Sequence, residues 1–430
     1  MKILLSSILM RGNKLEGLFV VLYWTCLAVF LGGIIGSLSA GFLFSLGKVN
    51  SIRESNPNLI FFLPIAGVFI VFLFEKYGQS LQKGTDLIIT EFHSPNKKLP
   101  FRFVPFVWLG TLLTHLFGGS SGREGTAVQM GAATADQMYH LLTPKKPELR
   151  RLFLAIGVSA GFGSVFGTPL AGMVFAMELF SRGIAITRSL YPCLVSSITA
   201  DLICRLYGVH HTNFPNLPSI SLNPFSILQV AIVGMLFGVC AFSYTFVMDG
   251  FQKVFQPIKD QPYKKAFVLC ILLLGLCLII DGRMYLGLGI STIENSFNMG
   301  MGPFDFFWKL LFTAITLSAG LKGGEVTPLF FIGACLGNAL FALFDLPLSL
   351  LAGLGMISVF IGASNTPLAG IVMGIELFGT GISIPLAISV IFAYLSSGEK
   401  GIYHSQTIDS PKHIFYSKSN QNEIKDPEQT

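Results

Sequence analysis

The sequence predicts an all-α integral membrane protein built from two repeated halves with broken, re-entrant helices. Three observations carry this expectation: a scarcity of charge, a series of long apolar runs, and a duplicated pair of helix starts marked by glycine and proline.

Of the 430 residues, 52% are hydrophobic and only 12% are charged. A soluble domain carries about 25% charged residues, so this chain lacks the means to cover itself with a water-compatible surface. Apolar runs recur over residues 17–47, 58–74, 103–117, 152–181, 224–250, 266–281, 305–319, 328–343, 348–363 and 367–395. A span takes roughly 20 apolar residues, so most of these runs are expected to cross a bilayer. The runs 17–47 and 224–250 are long enough to cross at a strong tilt. Runs of this length satisfy their own backbone polar groups as helices.

The chain divides into an N-terminal segment (1–15), a first membrane repeat (16–205), a connecting loop (206–223), a second repeat (224–405) and a polar tail (406–430). No small-residue cleavage site follows the short apolar stretch at the start, so no removed leader is expected. Arg11 and Lys14 at one end, and Lys400, Lys412, Lys418 and Lys425 at the other, favour both termini in the cytoplasm of a multi-pass cell-membrane protein.

The net charge of +6 is spread over loops, which suits lipid headgroups and suggests no nucleic-acid partner. Cys26, Cys193, Cys204, Cys240, Cys270, Cys277 and Cys335 lie in or beside apolar runs without a CxxC pair, as small packing residues do. His210 and His211 are adjacent, a poor chelate, so neither a metal nor another cofactor is expected. The spans hold no cluster of nucleophile and base that would suggest an enzyme.

The duplication is the most informative feature. Thr168-Pro-Leu-Ala-Gly172, followed by Glu178 and Phe180, recurs 198 positions on as Thr366-Pro-Leu-Ala-Gly370, followed by Glu376 and Phe378. Upstream, Gly122-Arg123-Glu124-Gly125-Thr126 has a counterpart in Gly323-Gly324-Glu325-Val326-Thr327, which pairs Glu124 with Glu325. Matched, interrupted apolar segments in two halves point to a transporter fold, with its binding site where the broken helices meet near mid-membrane.

These starts suit an anion. A helix N-terminus offers unpaired N–H groups and the positive end of the dipole, and glycine lets a ligand approach the backbone. Weak sites of this kind permit passage where a full charge would hold the ion. Four such starts are expected, after Gly122, Gly167, Gly323 and Asn365, with a fifth at Gly84-Thr85-Asp86. An acid in a membrane segment is costly, so Glu124 and Glu325 are read as functional. Arg123 and Lys322 are the nearby cations that would pair with them in a merely structural role. Glu178 and Glu376 are read as structural, at the membrane surface or capping neighbours, and Asp86 as a helix cap. Gly32 and Gly36 form a GxxxG pattern read as close helix packing.

The run Gly122-Arg-Glu-Gly-Thr126 with Ala-Val-Gln-Met-Gly131, the paired Pro-Leu-Ala-Gly segments at 169–172 and 367–370, and Gly401-Ile402-Tyr403 resemble the CLC anion channel/transporter family across residues 16–405. Three departures resemble its fluoride/proton antiporter branch. Thr126 stands where proline is usual, Gly84-Thr85-Asp86-Leu87-Ile88 replaces the chloride-binding serine loop, and Glu325 replaces an apolar residue. Leu179 stands where chloride antiporters carry a proton-relay glutamate. The resemblance implies a CLC-like inverted repeat and a homodimer with one pathway per subunit. It implies fluoride export against protons, with chloride/proton exchange or a passive chloride channel as the alternative. Glu124 and Glu325 would gate the path and transfer protons. Gly84, Thr85, Gly122, Arg123, Gly125, Gly324, Val326, Thr327 and Tyr403 would surround the anion.

Overall fold

A computed structural model describes residues 14–78, 81–142, 146–182, 189–408 and 412. Met1 to Asn13, with Arg11, and Lys418 and Lys425 of the tail lie outside the described residues, so the readings made on them do too.

Among the described residues there are sixteen α-helices. The first half holds α1 (Lys14–Ser55), α2 (Leu63–Tyr77), α3 (Thr85–His93), α4 (Phe103–Leu116), α5 (Glu124–Leu142), α6 (Pro147–Phe166), α7 (Pro169–Glu178) and α8 (Leu190–Leu206). The second half holds α9 (Pro224–Val254), α10 (Pro262–Ile279), α11 (Ile290–Asn295), α12 (Asp305–Ser318), α13 (Val326–Leu340), α14 (Leu348–Ser364), α15 (Pro367–Phe378) and α16 (Ser383–Ser396). A two-residue parallel ladder joins β1 (Ser181–Arg182) to β2 (Thr407–Ile408).

Five helical stretches are long and apolar enough to span: Gly17–Ser55, Pro57–Tyr77, Pro147–Phe166, Pro224–Val254 and Pro262–Ile279. The apolar runs are interrupted, as the expected broken helices require. The run 152–181 breaks at Gly167 (φ 73°) and Thr168, and 367–395 breaks at Gly379 (φ 88°). In each case a left-handed residue ends one helix and a Thr-Pro step or short turn starts the next.

The two halves pack by the same device. A Cβ on Gly32 or Gly36 of α1 would lie 2.5 Å from Ser196 O or 2.6 Å from Ala200 O of α8. On α9, Gly234 would meet Ser389 O of α16 at 2.7 Å, and Gly238 lies against Ala393 O. The GxxxG pattern is thus a packing surface, as its spacing suggested. Deeper, Gly131 and Gly157 join α5 to α6, and Gly333 and Gly355 join α13 to α14, each against the other's carbonyl. Six of the seven cysteines are buried among these helices, Cys26 being exposed.

The halves are laced at the centre. Gly122 and Gly324 exchange two backbone hydrogen bonds, 2.6 and 2.8 Å, as an antiparallel bridge. Ser120 bonds Thr316 and Thr313 of α12, while the Lys322 amide donates to Thr114 of α4. Each half's central loop therefore rests on a helix of the other half.

Candidate functional site: a carboxylate between two cavities

The bridge corrects the repeat register. It makes Gly324 the partner of Gly122, and α5 and α13 begin two residues after each. Glu325 thus matches Arg123, and Glu124 matches Val326. A one-residue offset turns a side chain by about 100° around a helix. The two glutamates therefore face different surroundings, although the sequence pairs them.

Glu124 is the first residue of α5 and is 1% exposed. Its carboxylate lies at the start of α13: Oε2 accepts from Arg123 N at 3.0 Å and Thr327 N at 3.2 Å, and Oε1 accepts from the Thr327 hydroxyl. The guanidinium Nε of Arg123 is 3.7 Å away, too far for a hydrogen bond. Amides and a hydroxyl hold this carboxylate, and the Arg123 ion pair is secondary.

Its chain neighbours border two cavities, Gly125 one and Arg123 the other. On one side a cavity of about 140 Å³ is lined by Gly84, Thr85, Gly125, Glu325, Val326 and Tyr403, among others. On the other a pocket of about 20 Å³ is lined by Arg123, Thr327 and Phe330. The structure thus gathers Gly84, Thr85, Gly125, Gly324, Val326, Tyr403 and Glu325 around one space. Arg123 and Thr327 belong to the opposite side. The amides of Gly122 and Gly324, expected as anion donors, are spent on the inter-half bridge, so these residues shape the site without donating to it.

Glu325 is the N-cap residue of α13, but its side chain makes no capping hydrogen bond. Its Oε2 accepts from the Tyr244 hydroxyl of α9 at 3.3 Å, and its side chain borders both the central cavity and a neighbouring one of about 110 Å³. Lys322 is not its partner: that ammonium sits 4.4 Å from the centre of the Phe74 ring. Asp86 does not cap α3. Its Oδ1 accepts from Ser405 N at 2.9 Å, which holds the segment carrying Tyr403 against the cavity.

Thr85 is placed by its whole helix. Gly84 holds φ at 55°, and the Gln129 amide donates to the Thr85 hydroxyl at 3.1 Å. At the far end of α3, Glu91 meets Arg150 at 2.9 Å, and Arg150 meets Asp136 at 2.6 Å, all three buried. Gln129, Tyr244 and this ion triad were missed in the sequence. Gln129 lies four residues after Gly125 on α5, one turn along the same face, which is the signal that could have found it.

The starts of α7 and α15 carry a correction. Glu178, at the end of α7, accepts from Leu368 N at 3.0 Å and Ala369 N at 2.7 Å at the start of α15. Glu376, near the end of α15, accepts from Leu170 N at 2.9 Å and Ala171 N at 2.7 Å at the start of α7. Two antiparallel helices cap each other, so the helix starts after Gly167 and Asn365, expected as anion sites, are already occupied. The structural reading of both glutamates holds, with the partner helix as the thing capped.

Comparison with known proteins follows this geometry. The sequence profile described as "Voltage gated chloride channel" matches residues 66–398. A "Chloride/fluoride channel protein" of Pseudomonas syringae pv. tomato is 42% identical over 409 residues, covering 94% of this chain and 90% of the relative. An "H(+)/Cl(-) exchange transporter ClcA" of Klebsiella pneumoniae is 27% identical, covering 70% of this chain and 68% of the relative. Among solved structures, a CLC-type fluoride/proton antiporter superposes with a TM-score of 0.88 at 33% identity, covering 93% of this chain and all of that one. A slow cyanobacterial Cl⁻/H⁺ antiporter gives 0.75 at 20% identity, with 87% and 94% covered, a likeness of fold alone.

Proposed function

The chain belongs to the voltage gated chloride channel family, the CLC family, and on that premise we propose that it is a secondary active transporter exporting fluoride in exchange for protons. The observation that carries this reading is the seat of Glu124. Its carboxylate occupies N–H and O–H donors that would otherwise serve an anion passing between the two cavities. Ionised, it closes the path. Protonated, it gives up most of the attraction of those donors and leaves the seat to the anion. One group thus exchanges a proton for an anion at one place.

Fluoride gives up hydration at high cost unless strong donors replace the water. Thr85, the Tyr403 hydroxyl and the start of α13 supply such donors around the central cavity. Glu325, on the same cavity and bonded to Tyr244, is the second proton-transfer group in this reading. Gly84, Gly125 and Val326 bring backbone close to the ion, while Arg123 and Thr327 serve its passage on the far side of Glu124.

The two repeats are residues 16–205 and 224–405, joined by 206–223 and flanked by the segments 1–15 and 406–430. The protein acts in the cell membrane with both ends cytoplasmic, as a homodimer with one path per subunit. Supporting the dimer, α7, α8, α15 and α16 present Leu170, Leu202, Leu368, Ile384 and Ile391 outward, each 44–57% exposed.

Purified protein in liposomes tests the function. Fluoride efflux accompanied by proton uptake supports it. Chloride efflux at an equal rate, or efflux with no proton movement, overturns it in favour of a chloride exchanger or channel.

A further inference from the structure

A cavity of about 740 Å³ lies beside the central one and shares lining residues with it. Exposed Gln252, Lys253, Gln256 and Lys259 line its mouth, where α9 ends and α10 begins. Its depth reaches Thr111 of α4, Thr126 of α5 and Ser318 of α12, all buried. Gly84, Gln129 and Gly323 line both cavities, so they form the wall between them.

The lining is cationic. Lys253, Lys259, Lys265 and Lys322 face Glu75 and Asp249, four positive groups against two negative. Asp249 is paired with Lys400 at 3.0 Å, while Glu75 accepts from the neutral Gln82 amide at 2.8 Å and attracts Lys322, so the lining keeps a net positive charge. Lys322 stands out. Its stem lies against Gly110, where a Cβ would come within 3.0 Å of it, and its ammonium rests on the Phe74 ring. An aromatic face attracts an ammonium but leaves its donors unfilled. Ser318 lines the same cavity, and its Oγ, covered by neighbouring atoms, makes no hydrogen bond among the described residues. An ammonium with donors to spare and an unpartnered hydroxyl, at the base of a cationic cavity open at its mouth, are what a small inorganic anion needs on leaving water.

We propose that this cavity is a waiting chamber for the transported anion, with Lys322 as its counter-charge and the Gln129 side chain as the door to the central site. The proposal rests on the transport reading above. An anion held by Lys322 stands one wall from Thr85. Gln129 closes that wall by donating to the Thr85 hydroxyl and opens it by rotating away. The chamber raises the local anion concentration at the entrance without placing a full charge on the ion path itself.

Two measurements test it. Fluoride transport by the full chain in liposomes is compared for Lys322, Lys322→Met and Lys322→Arg, with fluoride varied on the chamber side. Met keeps the packed stem and removes the charge. The expected result is a KM for fluoride raised about five- to tenfold in the Met variant, the loss of one partly screened charge at close range. The maximal rate and proton coupling stay as they were, and Arg restores KM. An unchanged KM in Lys322→Met, or equal loss of rate in the Met and Arg variants, overturns the proposal in favour of a packing role. The second measurement does not depend on transport. In a Cys26→Ser background, Ser318→Cys is modified by a cationic thiol reagent, and fluoride slows the modification with Lys322 present but not in Lys322→Met. No protection in either chain overturns the chamber. Protection without fluoride flux would leave the chamber standing and overturn the transport reading instead.

Discussion

Two pairs of helix starts occupy matching places in the two halves, and the protein uses them differently. At α7 and α15, each start is filled by a carboxylate from the far end of the partner helix, Glu376 or Glu178. At α13, the start is filled by Glu124, the first residue of another helix, between Gly122 and Gly125. Each of these carboxylates is held by two amides of the partner helix, so releasing it leaves that helix start uncapped. A carboxylate at a helix beginning, flanked by glycines, can leave by rotating its own side chain. In the proposed function, the same carboxylate-at-a-helix-start arrangement is a permanent joint in one place and a removable plug in the other.

Substitutions can break this contrast. The largest effect is expected from Glu124→Gln, which keeps the shape and removes the ionisable group. Proton movement coupled to anion flux should fall by roughly 10²-fold or more in a liposome pH assay. Stability in detergent should change little, because a plug is not a joint. A large drop in melting temperature with coupling intact would reverse the two roles.

Next is the clamp on α3. Arg150→Met leaves Glu91 and Asp136 buried without their cation and should cost about 3–5 kcal/mol, read from thermal unfolding. The joint itself comes third. Glu178→Ala and Glu376→Ala each leave two amides uncapped and should cost about 0.5–2 kcal/mol, with proton coupling retained. Loss of coupling in either would mean that these helices also move in transport. Smallest is Thr126→Val, which removes the hydroxyl pair between Thr126 and Thr111, 2.6 Å apart, at about 0.5–1.5 kcal/mol, read from thermal unfolding, with proton coupling retained.

Much of this was legible in the sequence. Broken helices follow from Gly167-Thr168-Pro169 and Asn365-Thr366-Pro367, where backbone chemistry is local and the breaks fall where it puts them. Glu124 and its glycines were legible for the same reason. The register of the two glutamates was not. Matching Glu to Glu is the better match of letters, whereas the bridge between Gly122 and Gly324 fixes the backbone, and no local rule reports a bond between residues so far apart. The mutual caps are likewise contacts between halves. Glu91, Asp136 and Arg150 each sit singly in the sequence, and only the fold makes a triad of them.

The segment holding Tyr403 has a consequence for how the protein is made. Ser405 is bound to Asp86, Gln406 donates to Glu178 O at 2.8 Å, and Thr407 and Ile408 form a ladder with Ser181 and Arg182. One wall of the central cavity therefore comes from a segment far along the chain, docked onto helices much earlier in the sequence. During synthesis the earlier helices stand in the bilayer with their pathway unfinished. A message cut short before codon 403 would yield a bundle whose central cavity lacks one wall.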